Sequence, residues 1–197
     1  PDYLRKIDTN GIVTTIIGGE SSSQTGDGGS ISNAGFSSIR SVAVDKNGNI
    51  FFSDECSIRK IDTNGIVTRF AGTYSCSSTD TTNGIAADEV KFSYIYHLTF
   101  DSKGNLYFES GEGNIRKIDT NGIVTNFAGI INGVSKHSGD GGPATDALFE
   151  SGIKSISFDD NDNMYVVEDN RIRKIDSAGI ITTFAGTGQS GDSGDGG

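Results

Sequence analysis

The residues able to do chemistry in this 197-residue chain are few and dispersed. Its two histidines, His97 and His137, stand in different contexts, whereas a zinc centre needs several converging nitrogen, sulfur or oxygen ligands. Three Gly-Asp-Gly-Gly segments place single carboxylates at Asp27, Asp140 and Asp195. Calcium wants about six to eight oxygens, so these are weak metal candidates, and positive-φ turns account for the glycines equally well. The segments beginning at Asp45 and Asp159 superficially resemble calcium loops, but the first has its glycine too early, the second has none, and no glutamate closes either. They are expected to be hairpin turns. Gly191-Asp192-Ser193-Gly194 echoes the surroundings of a hydrolase nucleophile, yet the other copies of that segment lack the serine and no base or oxyanion hole is evident. No catalytic residue is assigned.

Cys56 and Cys76 lie in neither a CxxC nor a zinc-type spacing. They fit a disulfide, which would imply an extracellular setting, or two buried thiols. Arg5, Arg59, Arg116 and Arg173 recur once per repeat. They could be ligand contacts, but a recurring position suits a structural device, pairing with a carboxylate such as Asp54 or Glu168. Tyr74, Tyr94 and Tyr96 do not recur, which makes them the candidate recognition aromatics.

The elements that position these residues follow from the repeat. Arg-Lys-Ile-Asp occurs at 5–8, 59–62, 116–119 and 173–176, a period of roughly 57 residues that signals a tandem array. Each copy leads through Asn-Gly, or Ala178-Gly179 in the last, into a second apolar run. That is a hairpin, read here as a type I′ turn and as a looser one in the last copy. Phe-Ala-Gly follows at 70–72, 127–129 and 184–186, and a further pair of strand-like runs precedes each of the last three copies. Four short antiparallel strands per unit, at this period, predict an all-β propeller whose blades cover one another's apolar faces. The chain reads as one partial propeller of about three and a half blades. Residues 1–20 are an outer half-blade, 39–72, 95–129 and 153–186 are whole blades, and 187–197 is a Gly-rich connector. The parent ring is expected to be six-bladed or closed by another chain.

Val42–Ile50, Ile58–Asp62 and Phe70–Gly72 together resemble the NHL repeat, and Ser138–Ala147 looks like the insert of a Gly-rich subgroup found in secreted and cell-surface proteins, with teneurins among its distant relatives. The resemblance covers nearly the whole chain and implies a propeller. It says little about function, because such blades serve both binding modules and enzymes. The connector Thr73–Val90 departs from the pattern: it lacks Gly-Asp-Gly-Gly and carries Cys76.

A net charge of −10 disfavours nucleic acid, and no apolar run reaches the roughly 18–20 residues of a spanning helix. With 28 glycines, two prolines and neither an initial Met nor a signal sequence, the chain reads as a turn-rich β protein processed or excised from something longer. The expected function is a non-catalytic, extracellular binding or structural module, recognising protein or glycan through its inter-blade connectors. No cofactor is required, and calcium is the one open possibility. The alternatives are a metal-dependent hydrolase or lyase propeller, with ligands converging on the ring centre, and an assembly component completed by self-association.

Overall fold

A computed structural model describes residues 3–18, 23–76, 80–111, 113–131, 133, 135–149 and 152–191. β1 (Tyr3–Ile7) and β2 (Val13–Gly18) form a two-stranded sheet. β3 (Ile39–Val44), β4 (Ile50–Asp54), β5 (Ser57–Ile61) and β6 (Val67–Gly72) form an antiparallel sheet in chain order. A short connector strand, β7 (Ile85–Ala86), precedes β8 (Tyr96–Phe100), β9 (Leu106–Glu109), β10 (Ile115–Ile118) and β11 (Ile123–Ala128), and it pairs with the outer edge of β11. The last sheet is β12 (Ile153–Phe158), β13 (Met164–Glu168), β14 (Arg171–Ile175) and β15 (Ile181–Ala185). This is an all-β propeller architecture, with helix confined to two single 3₁₀ turns among the described residues.

The hairpin turns differ from the type I′ expectation. Asp62 Oδ1 accepts the Asn64 and Ile66 amides at 2.9 Å each, and only Gly65, at φ +78°, takes positive φ. A type I′ turn needs positive φ at both central residues. Here the aspartate's side chain supplies the acceptor that shapes the turn, so the asparagine stays right-handed. The final copy is no looser: Asp176 Oδ1 accepts the Ala178 and Ile180 amides, again at 2.9 Å. The inner hairpins use the same device at Asp45, Asp101 and Asp159, and in the last of these Asp162 takes the left-handed position at φ +59°.

The repeated Phe-Ala-Gly has a conformational cause. Ile58 pairs with Ala71 and Arg59 with Arg69, so Phe70 is an extra residue bulged out of the ladder. Phe127 and Phe184 are bulged identically, and a bulge re-aims its side chain. The glycine that follows must be one: Gly72 has φ +81°, and a Cβ there would lie 2.5 Å from the Cys56 carbonyl oxygen.

Apolar residues fill the spaces between successive sheets. Phe51, Phe92, Phe108 and Leu106 lie in one layer, Phe149, Ile115, Met164 and Ile156 in the next, and Phe52, Ile17 and Val67 beneath the two-stranded sheet. Each fully buried aromatic contributes about 1.5–3 kcal/mol by leaving water. The connectors wrap the outer edges. Gly28 N–H donates to Val67 O at 2.7 Å, Gly84 to Val124 O at 2.8 Å and Gly141 to Ile181 O at 2.8 Å. Part of each connector is therefore committed to covering an edge strand, and only the remainder can recognise a partner.

Candidate binding face

The strand ends define two faces. Connectors and the β4–β5-type turns share one, here the connector face, and the aspartate-closed turns share the other, the turn face. β3, β8 and β12 are the innermost strands: Leu98 N–H donates to Ser41 Oγ at 2.8 Å, and His97 Nε2–H donates to Ile153 O at 3.1 Å. Each inner strand carries a bulge near its connector end. That of β8 puts His97 at φ +57°, a conformation a non-glycine residue takes only when its surroundings impose it. Burial lowers the His97 pKa despite that hydrogen bond.

Around this bulge the non-recurring aromatics meet a cation. Arg40 of β3 lies 5.4 Å from the Tyr94 ring centroid and 5.3 Å from that of Tyr96. The two tyrosine rings are 6.3 Å apart, and Tyr96 is 6.0 Å from the His97 ring. Tyr94 is 46% exposed. Arg40, His97 and Lys154 occupy corresponding positions on the three inner strands, so a basic side chain recurs at this bulge. A guanidinium stacked on exposed phenol rings can hold an acidic or aromatic group by charge and by π contact. Tyr74 belongs elsewhere: its hydroxyl donates to Asp27, Arg69 lies 5.6 Å over its ring, and burial together with that hydrogen bond pushes its pKa up to about 12. Of the three sequence-predicted tyrosines, the structure brings together two. Arg40 was missed because strand alternation reports only which face a residue takes.

Three of the recurring arginines, Arg59, Arg116 and Arg173, hold connector carbonyls. Arg59 is fully buried, with Nη2 2.8 Å from Asp27 Oδ1 and donating to Thr25 O at 2.9 Å, and with Nη1 donating to Gly35 O at 2.7 Å. Arg173 repeats this with Asp140 at 2.7 Å, Ser138 O at 3.0 Å and Leu148 O at 3.1 Å. The anticipated partners Asp54 and Glu168 are farther, at 3.4 and 3.7 Å. Two of the calcium candidates, Asp27 and Asp140, thus face a guanidinium, and a cation would have to displace it. Burial works to raise Asp140, but the Thr183 hydroxyl and then Arg173 outweigh it and hold the carboxyl below the ordinary range. Asp195 and Ser193 lie outside the described residues. Arg5 is exposed and lies 5.6 Å over Tyr3.

Arg116 is the exception. It donates to Asp80 O at 2.7 Å and Thr82 O at 2.8 Å, but its Nε is buried without a hydrogen-bond partner among the described residues. The Gly28, Gly84 and Gly141 bonds set the three connectors in register, which places Asn83 where Asp27 and Asp140 stand. Asn83 Oδ1 accepts the Asn126 amide instead.

Cys56 and Cys76 form a disulfide with Cα atoms 5.4 Å apart, tying the turn after β4 to the connector after β6. His137 lies far along the chain from His97, with Nδ1 2.8 Å from Glu168 Oε1 and Nε2 3.4 Å from Asp140 Oδ2. Among the described residues, no group of three or more His, Cys, Asp or Glu is arranged to hold a metal ion.

Comparison with known proteins agrees with this architecture. Teneurin-1 of Gallus gallus is 29% identical over 180 residues, covering 83% of this chain and 6% of its own length. The chain therefore spans a small part of the curated relatives it matches. A protein of unknown function from Bacteroides thetaiotaomicron superposes with a TM-score of 0.63 at 24% identity, covering 84% of this chain and 40% of that one. A gluconolactonase from Xanthomonas campestris does so with a TM-score of 0.57 at 14% identity, covering 93% and 55%. At these identities the two structures speak for the fold alone. A profile of the Teneurin NHL domain matches residues 20–84 and 130–193, leaving unmatched most of the blade that carries Tyr94, Tyr96 and His97. Since the matched stretches make up more than half of it, the chain belongs to the teneurin NHL domain family.

Proposed function

We propose that the chain is a non-catalytic binding module of an extracellular protein and that it engages a protein partner through the connector face. The observation that carries this reading is the stack of Arg40 on Tyr94 and Tyr96, at 5.4 and 5.3 Å, exposed at the inner-strand end of an otherwise repetitive scaffold. Aromatic residues and arginine are the side chains that concentrate binding energy at protein interfaces, and function on repeated scaffolds sits where the repeats differ. Arg40 sets a positive charge against the rings, so the favoured partner segment presents an acidic side chain beside an aromatic one. The Cys56–Cys76 disulfide supports an oxidising compartment.

Peptide display tests the proposal. Selection of a random peptide library on the immobilised chain should enrich acidic-aromatic sequences, and Tyr94→Ala and Tyr96→Ala should abolish that enrichment. Enrichment that survives both substitutions, or none at all, would contradict the proposal.

A further inference from the structure

The turn face carries two clefts that the connector-face reading does not use. The first, between the β3–β6 and β8–β11 sheets, encloses about 470 Å³, and the second, between the β8–β11 and β12–β15 sheets, about 340 Å³. They are copies of one design. In the first, Phe51 is packed edge-to-face by Phe70 at 4.9 Å and Phe100 at 5.1 Å. In the second, Tyr107 is packed by Phe127 and Phe158, both at 4.8 Å. Phe70 and Phe127 are the bulged residues of the repeat, and the flanking rings remain partly exposed.

The polar walls match as well. Three aspartates and two lysines line each cleft: Asp45, Asp101 and Asp119 with Lys46 and Lys103 in the first, and Asp101, Asp162 and Asp176 with Lys103 and Lys117 in the second. Asp101 and Lys103 line both, so the clefts adjoin across a single turn. The carboxylates are held rigidly. Asp45, Asp101, Asp119 and Asp176 each accept two backbone amides through Oδ1, and Asp162 accepts from the Ser102 amide at 2.9 Å and hydroxyl at 2.7 Å.

We propose that these two clefts together bind a neutral oligosaccharide, one sugar ring or short run of rings in each. A small cation meets two lysines in either cleft and an anion meets three carboxylates, so near-balanced charge favours a neutral ligand. A purely apolar ligand would strip water from five charged groups without replacing it. A peptide would find no main-chain partners, because the clefts lie between sheet faces whose strand ladders are already paired. A pyranose has an apolar C–H face for the partly exposed phenyl rings and a rim of hydroxyls that accept from lysines and donate to the carboxylates other than Asp101, whose two oxygens already accept four hydrogen bonds. The duplication of the site across one shared turn suits a ligand that repeats its own chemistry, and fixed acceptors lower the ordering cost of binding.

The test is calorimetric titration of the 197-residue chain with cellohexaose, xylohexaose, mannohexaose and chitohexaose, and with the corresponding disaccharides. At least one hexasaccharide should bind saturably at one per chain and about tenfold or more tighter than its disaccharide. Lys103→Ala, an exposed substitution that touches both clefts, should weaken it about tenfold or more. Lys46→Ala, which touches only the first, should weaken it less, and Tyr96→Ala on the opposite face should leave it unchanged. Absence of saturable binding by all four hexasaccharides, or binding indifferent to Lys103→Ala, would overturn the proposal.

Discussion

Arg173 holds Asp140 at 2.7 Å from a position of no exposure, while the carboxylate side chain is 36% exposed. The guanidinium thus reaches up from β14 to fix a surface connector, and its remaining donors satisfy two connector carbonyls. Arg59 does the same from β5. Arg116 does so without the acid, because Asn83 stands in its place.

Removing the three arginines should therefore have unequal effects. Arg59→Met removes the guanidinium from Asp27 and buried Asp54, and Arg173→Met removes it from Asp140 and buried Glu168; each should cost about 3–5 kcal/mol. Arg116→Met loses two carbonyl bonds but also removes a buried, incompletely paired charge, and should cost about 1–2 kcal/mol. Urea unfolding midpoints rank the three; equal losses would show that the carboxylate pairing is immaterial.

Asn83→Asp should stabilise the chain by about 1 kcal/mol, since a carboxylate gives Arg116 Nε the acceptor it lacks and can still accept the Asn126 amide. A lower thermal midpoint in this variant would refute the assigned register of the connector.

Much of the fold was legible because it repeats. The strand order and the positions of the hairpin turns could be read from four copies of Arg-Lys-Ile-Asp. The turn type could not, because Asn-Gly chemistry was weighed and the side chain of the preceding aspartate was not; the Ala178-Gly179 copy, with identical bonds, shows which residue governs. The Arg–Asp pins were hidden by separations of 32 and 33 residues. A signal was present, however: the unit lacking Gly-Asp-Gly-Gly is the one whose arginine is left incomplete. The Arg40 stack was not legible, since it depends on how one blade's inner strand packs on the next.

Acid should unfold the chain through its turns. Asn163 amide bonds, from side chain and backbone, hold Asp159 below the ordinary carboxylate range; the Ile66 and Ile123 amides lower Asp62 and Asp119; and the Ser102 bonds lower Asp162. A carboxylate depressed in the folded state binds protons more readily when unfolded, so its contribution is complete above the unfolded value and is lost as pH falls through the folded one. Stability measured by denaturant titration should thus be flat in this respect from pH 7 to about 5 and fall below about pH 4. A profile that is flat to pH 2 would exclude the turns as the acid-labile element.

Reduction of Cys56–Cys76 should cost about 3 kcal/mol, the loop-closure value for a crosslink spanning about 20 residues. Calorimetry with and without reductant measures it, with Cys76→Ser as the comparison because Cys76 is exposed and Cys56 is buried. A Cys76→Ser protein as stable as the oxidised chain would contradict this.

The most direct test of connector-face recognition is the affinity of a display-selected acidic-aromatic peptide for the chain, compared between Arg40→Ala and Lys103→Ala. Recognition by the stacked cluster predicts a loss of about tenfold or more for Arg40→Ala and none for Lys103→Ala on the opposite face. Equal affinity for Arg40→Ala and the unsubstituted chain would contradict it.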